Sequence, residues 1–141
     1  MKIAALVSRY LLGLIFTVFG LNGFLHFLPM TPVPPLAGQF VVALVQSHFM
    51  TAVFALELGA GILLLVSRYV PLALTVLAPI IVNILLFHIT MAPAGLPLAA
   101  IVTVLWLVVA SRLQPVFATL FQPVTGTEGV GHALPHAPSF R

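Results

Sequence analysis

Four long apolar stretches, at residues 4–28, 49–66, 70–90 and 97–112, constrain this chain more than any other feature. Each is close to the roughly 20 residues that an α-helix needs to cross the hydrocarbon core of a bilayer. The residues between them suit helix ends. Pro71 and Pro97 fall where a first turn begins, a place where a missing amide hydrogen costs nothing, and Pro29 and Pro93 fall just past helix ends. Apolar side chains make up 62% of the 141 residues and charged ones 5%, too few to coat a water-soluble domain. The expected fold is therefore an all-α membrane protein, an antiparallel bundle of four transmembrane helices.

The few charges set an orientation. Lys2, Arg9, Arg68, Arg112 and Arg141 all fall on one side of such a bundle, and the two opposite connections, 29–48 and 91–96, contain neither Lys nor Arg. Basic residues are retained on the cytoplasmic side, so both termini are expected there. The first stretch starts with a basic residue, as a signal peptide does. It stays apolar too long and lacks a small-x-small cleavage site, so it reads as a retained span. Five bases spaced singly form no patch that would neutralise a run of phosphates, which argues against nucleic acid as a partner. The absence of cysteine excludes disulfides and thiolate chemistry.

The first outer connection begins with Pro29, Pro32, Pro34 and Pro35 and continues into an apolar segment, 37–47. It reads as an extended stretch followed by a short extra helix lying in the interface. Residues 1–122 form the expected membrane domain. Residues 123–141, rich in Gly and Pro and without helical periodicity, are expected to be a disordered cytoplasmic tail. Val7-Ser8-Arg9-Tyr10 recurs as Val66-Ser67-Arg68-Tyr69. Either an internal duplication or recurrent lipid-boundary chemistry accounts for it.

A polar group in hydrocarbon needs a partner, so the intramembrane polar residues are where function is sought. Counted inward from the outer ends of the spans, Asn22, Glu57, Asn83 and Thr103 all fall roughly 9 to 12 Å deep, one on each helix. Above them lie His26, His48 and His88. Asn22 and His26 are about 40° apart around an ideal helix and should share a face. Asn83 and His88 are about 140° apart, so a single cluster requires a bend, which Pro79 would supply. An acid at the centre of a span costs about 3 kcal/mol. Glu57 must offset that by carrying a proton or by bonding to Asn22 or Asn83, with Gly59 and Gly61 admitting a neighbouring helix.

Two readings of these residues stand: interhelical glue, or a site for a ligand, proton or cofactor. The histidines also suit the headgroup boundary as amphipathic side chains. Their spacing contains no short metal-ligand motif, so no metal site is assigned, and a haem would need His26 and His88 as its axial pair. His132 and His136 in the tail are weaker candidates still. Trp106 and the phenylalanines read as packing ahead of a quinone pocket.

Residues 9–27, RYLLGLIFTVFGLNGFLHF, resemble the first helix of the DoxX family. ELGAGILLLVSRY at 57–69 is similar to its second helix and PLALTVLAPIIVNILLFH at 71–88 to its third. The likeness covers about residues 4–115. It is carried by Arg9, Gly13, Gly20 and Asn22, by the Glu-x-x-x-Gly of Glu57 and Gly61, and by Pro79, Asn83 and His88. It implies a small four-helix protein of the bacterial inner membrane. Some members are linked to thiosulfate:quinone oxidoreduction or to other membrane oxidoreductase assemblies. The thiol-dependent ones are no guide to a chain without cysteine.

The leading expectation is a subunit of a quinone-linked or other membrane redox complex. Glu57 would be the catalytic proton carrier, Asn22, His26, Asn83 and His88 would bind a small ligand from the outer side, and quinone would be the candidate cofactor. Its partners would be the bilayer, other oxidoreductase subunits and further copies of itself. A transporter or channel subunit for a small solute or metal ion is a second expectation. A non-catalytic scaffold or assembly factor is a third.

Overall fold

The computed structural model describes residues 2–29 and 32–118, and all the regular structure within them is helical. In chain order the helices are α1 (Lys2–Leu25), α2 (Pro35–Gln46), α3 (Phe49–Leu65), α4 (Val70–Thr90), α5 (Leu96–Ala110) and α6 (Gln114–Ala118), with a 3-10 turn at Pro93–Gly95 ahead of α5. The tail expected at 123–141, with His132 and His136, lies outside the described residues.

Three stretches are long and apolar enough to cross a membrane unaided: Lys2–Leu25, Val70–Thr90 and Pro93–Ala110. Helices α2 and α3 pass the same test only together, and they meet at a bend of 85°. By itself α3 has 17 residues, the short end of the spanning range. Large apolar side chains face outward along the middle of these helices: Leu14, Leu56, Val82 and Ile101 are each more than half exposed. Such a surface suits lipid, and the chain is a membrane-spanning protein.

The helix ends follow local chemistry. α4 spans 70–90 as its prolines suggest, with Pro71 in its first turn, and it runs on through Pro79. α1 stops at Leu25, three residues short of the expected end. There His26 takes a left-handed conformation, φ 51°, and the side-chain oxygen of Asn22 accepts the amide hydrogen of Leu28 at 2.7 Å. α5 begins one residue early, with Pro97 in its first turn, and ends at Ala110, leaving Arg112 in the turn that leads to α6.

The helices α1, α3, α4 and α5 pack as a ring in which α1 meets α3 and α5, and α4 meets α3 and α5. Glycine sets the α1–α3 crossing. A Cβ on Gly20 would lie 2.6 Å from the backbone nitrogen of Leu58, and one on Gly61 would lie 2.7 Å from that of Thr17. The two backbones touch there, the close approach that small residues allow between helices in lipid. Gly59 was expected to do the same, but a Cβ there would meet nothing within 4 Å; it lies on the open side of α3. Leu12, Leu64, Leu74 and Leu77 are wholly buried at the centre of the ring. Trp106 ties α5 to α4 by donating its indole hydrogen to the Leu74 carbonyl at 3.0 Å, a structural role in line with its reading as packing.

The repeated tetrapeptides take different backbones. Val7–Tyr10 lies within α1, whereas Val66–Tyr69 is a turn in which Ser67 and Tyr69 have φ of 60° and 53°. Each arginine nonetheless lies over its neighbouring tyrosine ring, at 4.7 Å for Arg9 and 6.0 Å for Arg68. The shared feature is side-chain chemistry at a boundary, which favours that explanation over duplication.

Candidate functional site

The inward faces of the four ring helices can be read from what they bury. On α1 the stripe is Ser8, Leu12, Gly13, Phe16 and Gly20, and on α3 it is Glu57, Ala60, Gly61 and Leu64. On α4 it is Ala73, Leu74, Leu77, Ile80 and Ile81. Steps of three and four residues continue the first stripe to Asn22 and the third to Ile84 and His88. Where these continuations meet, the ring opens into a cavity of about 230 Å³.

Its polar lining consists of Asn22, Glu57 and His88. Aromatic wall is supplied by Phe16, Phe19 and Phe54, and the remainder by Ile15, Ile84, Leu98, Ala99 and Val102. Asn22 lies near the end of α1, His88 near the end of α4, Leu98 near the start of α5 and Phe54 in the second turn of α3. The cavity thus sits at the end of the bundle where those four helix ends gather. Beyond it toward the other end lie the fully buried leucines.

Glu57 is 7% exposed, and among the described residues it makes no hydrogen bond or ion pair. The partnership with Asn22 or Asn83 expected from the sequence is not formed. Asn22 instead commits its oxygen to the Leu28 amide, which leaves both Nδ2 hydrogens without a protein partner among the described residues. His88 is held by the turn that follows α4, its Nδ1 lying 2.9 Å from the Ala92 carbonyl oxygen. Among the described residues only Arg9 Nε and Thr17 Oγ1 are sealed polar side-chain atoms without a partner, so the free atoms of Asn22, Glu57 and His88 stay accessible. Such groups, in a largely apolar chamber, can recognise a small molecule with an apolar body and a few polar atoms.

Four other residues expected in or above this layer are placed elsewhere. Asn83 is exposed on α4 and donates to the Pro79 carbonyl of its own helix at 2.9 Å. It and His88 are too far apart around the helix for both to face inward, and Pro79 does not bring them together. His26 is exposed, because unwinding at the end of α1 removes it from the face it would have shared with Asn22. Thr103 bonds back to the Ala99 carbonyl at 2.8 Å and does not line the cavity. His48, exposed and left-handed ahead of α3, is also outside it. Among the described residues no three His, Cys, Asp or Glu side chains are grouped to hold a metal ion.

Sequence reasoning overlooked Gly95. A Cβ there would overlap the His88 ring, so this glycine leaves the room in which the imidazole sits. Its φ of −87° is open to any residue, and the constraint is purely one of space. Gly95→Ala is expected to keep the fold while displacing the ring from its Ala92 partner. Loss of that hydrogen bond should cost about 1 kcal/mol. The imidazole ¹⁵N resonances of His88 would report it, and an unchanged Nδ1 signal would refute it.

Compared with known protein families, with curated proteins and with solved structures, the chain matches none.

Proposed function

We propose that this chain is a DoxX-like, four-span antiparallel bundle of the bacterial inner membrane whose cavity binds a small quinone-class molecule as part of a membrane redox complex. The observation that carries this reading is the convergence of Glu57, Asn22 and His88 on one largely apolar cavity with three phenylalanine walls. A flat ring with polar substituents matches such a lining. Glu57 is the group suited to exchanging a proton with that ligand, and His88 and Asn22 are suited to holding its polar atoms. The bound molecule would supply the redox chemistry.

The distribution of Lys2, Arg9, Arg68 and Arg112 supports placing both termini on the cytoplasmic side. The cavity then opens toward the outer face, and α2, set at 85° to α3, lies along the outer interface. A conduit fits less well, since the fully buried Leu12, Leu64, Leu74 and Leu77 fill the bundle below the cavity.

Titration of the purified protein with a short-chain quinone, in equilibrium dialysis, is expected to give saturable binding that Val102→Trp abolishes by filling the chamber. Absence of saturable binding by the wild-type protein of both the quinone and its reduced hydroquinone would sink the proposal.

Asn83 supports the assembly part of the reading. It is a polar side chain on an exposed helix face with an oxygen that has no partner among the described residues, and such groups join helices in lipid. The amide is both donor and acceptor, which suits pairing with its own copy. Because the chain has no cysteine, Asn83→Cys introduces a single thiol. Oxidation in the membrane is expected to yield a disulfide-linked dimer, and monomer alone would count against self-association through this face.

A further inference from the structure

The polar atoms of the cavity carry a definite donor and acceptor pattern. At His88 the partner of Nδ1 is a carbonyl oxygen, which can only accept, so Nδ1 bears the hydrogen. In the neutral ring Nε2 is then an acceptor. The arrangement is braced on two sides: Ala92 is 4% exposed and its carbonyl also accepts from the Gly95 amide at 3.1 Å, while Gly95 leaves the space that the ring fills. At Asn22 the reverse holds. One lone pair of its oxygen is taken by the Leu28 amide at 2.7 Å, and both of its N–H donors are left to offer. Glu57 lines the same cavity, more than nine-tenths buried and without a partner among the described residues.

Resting on the quinone-class reading above, we infer that the cavity selects the reduced, hydroxyl-bearing form of its ligand, with a ligand hydroxyl donating to His88 Nε2 and a ligand oxygen accepting from Asn22 Nδ2. A quinone offers only carbonyl acceptors. It satisfies Asn22 but sets oxygen lone pairs against the lone pair of Nε2, leaving a desolvated acceptor without a hydrogen. A hydroquinone hydroxyl both donates and accepts, so it matches either end of the site. Sites built to bond a hydroxyl discriminate strongly against analogues that lack it, because the group left behind stays unpaired. His88 is thereby a binding residue whose tautomer is set by the 92–95 turn, and Gly95 is a positioning residue.

The test uses the full-length protein in detergent, kept anaerobic, with three probes of one shape: trimethylhydroquinone, trimethylbenzoquinone and the dimethyl ether of the hydroquinone. The hydroquinone is expected to bind at least about tenfold more tightly than either of the others. In His88→Phe the three affinities should fall within about threefold of one another, and Gly95→Ala should narrow the preference as well. A trimethylphenol that binds as tightly as the hydroquinone would also support the inference, since one hydroxyl would then suffice. Equal saturable binding of hydroquinone and ether by the wild-type protein would overturn this inference and leave the ligand-binding function standing. No saturable binding of any probe would overturn both. The comparison among probes needs only wild-type protein, so it decides the matter even if a variant fails to fold.

Discussion

Replacing Glu57 by leucine is expected to stabilise the protein while abolishing ligand binding. Glu57, 7% exposed, sits in a largely aliphatic and aromatic wall, and its carboxyl group has no hydrogen-bonding partner among the described residues. A polar group in that position destabilises the fold, and leucine of similar bulk would fill the same volume with apolar contacts. The gain should be roughly 1–3 kcal/mol. Unfolding of the purified variant in a denaturing-detergent titration would measure it, and dialysis against a short-chain quinone would measure the loss of binding. The outcome separates function from glue. A residue that joined helices would cost stability when replaced, so a clearly destabilised Glu57→Leu would remove the case for a site at this position. Glu57→Gln serves as the companion variant: it keeps shape and hydrogen-bonding capacity, and if the proton matters it should bind ligand yet fail to support redox turnover in the native membrane.

The second large effect is expected at the α1–α3 crossing. Gly61→Leu places a side chain where even a Cβ would lie 2.6 Å from Thr17 Oγ1, 2.7 Å from Thr17 N and 2.9 Å from the Gly13 carbonyl oxygen. Two of those three atoms are backbone, so no rotamer change makes room, and the helices must separate. Overpacking of this kind costs about 3 kcal/mol. Separation also moves Phe16, Phe19 and Asn22 away from Glu57, so the cavity should lose its ligand along with its walls. Gly59→Leu is the control, because that position is open and the change should be nearly neutral. Comparable losses in the two variants, read by thermal unfolding in detergent, would mean that the crossing does not hold the bundle together.

The spans were the most legible part of this protein. A run of apolar residues long enough to cross a bilayer can hardly do anything else, and the prolines at 71 and 97 mark helix starts for a purely local reason. Two of the three polar residues in the cavity also stood out for a local reason: Asn22 and Glu57 are costly in hydrocarbon wherever they point. His88 was legible too, though not the glycine that makes space for it. Space is a relation between segments, and nothing in the PAG turn declares which side chain will rest on it.

By itself the sequence determined that the chain spans a membrane, where its helices begin, and that Asn83 and His88, about 140° apart around the helix, could share the interior only if the helix bends. All three follow from length, hydropathy and the 3.6-residue period, properties of a single segment. Only the tertiary structure decided between the two residues. α4 buries the stripe from Ala73 to Ile81, which carries His88 inward and turns Asn83 out. Likewise only the fold removed His26, through an unwound helix end in which Asn22 bonds Leu28. In lipid every helix face is apolar enough to be exposed, so hydropathy does not select the inner one. Packing selects it, here through glycines that let two backbones touch.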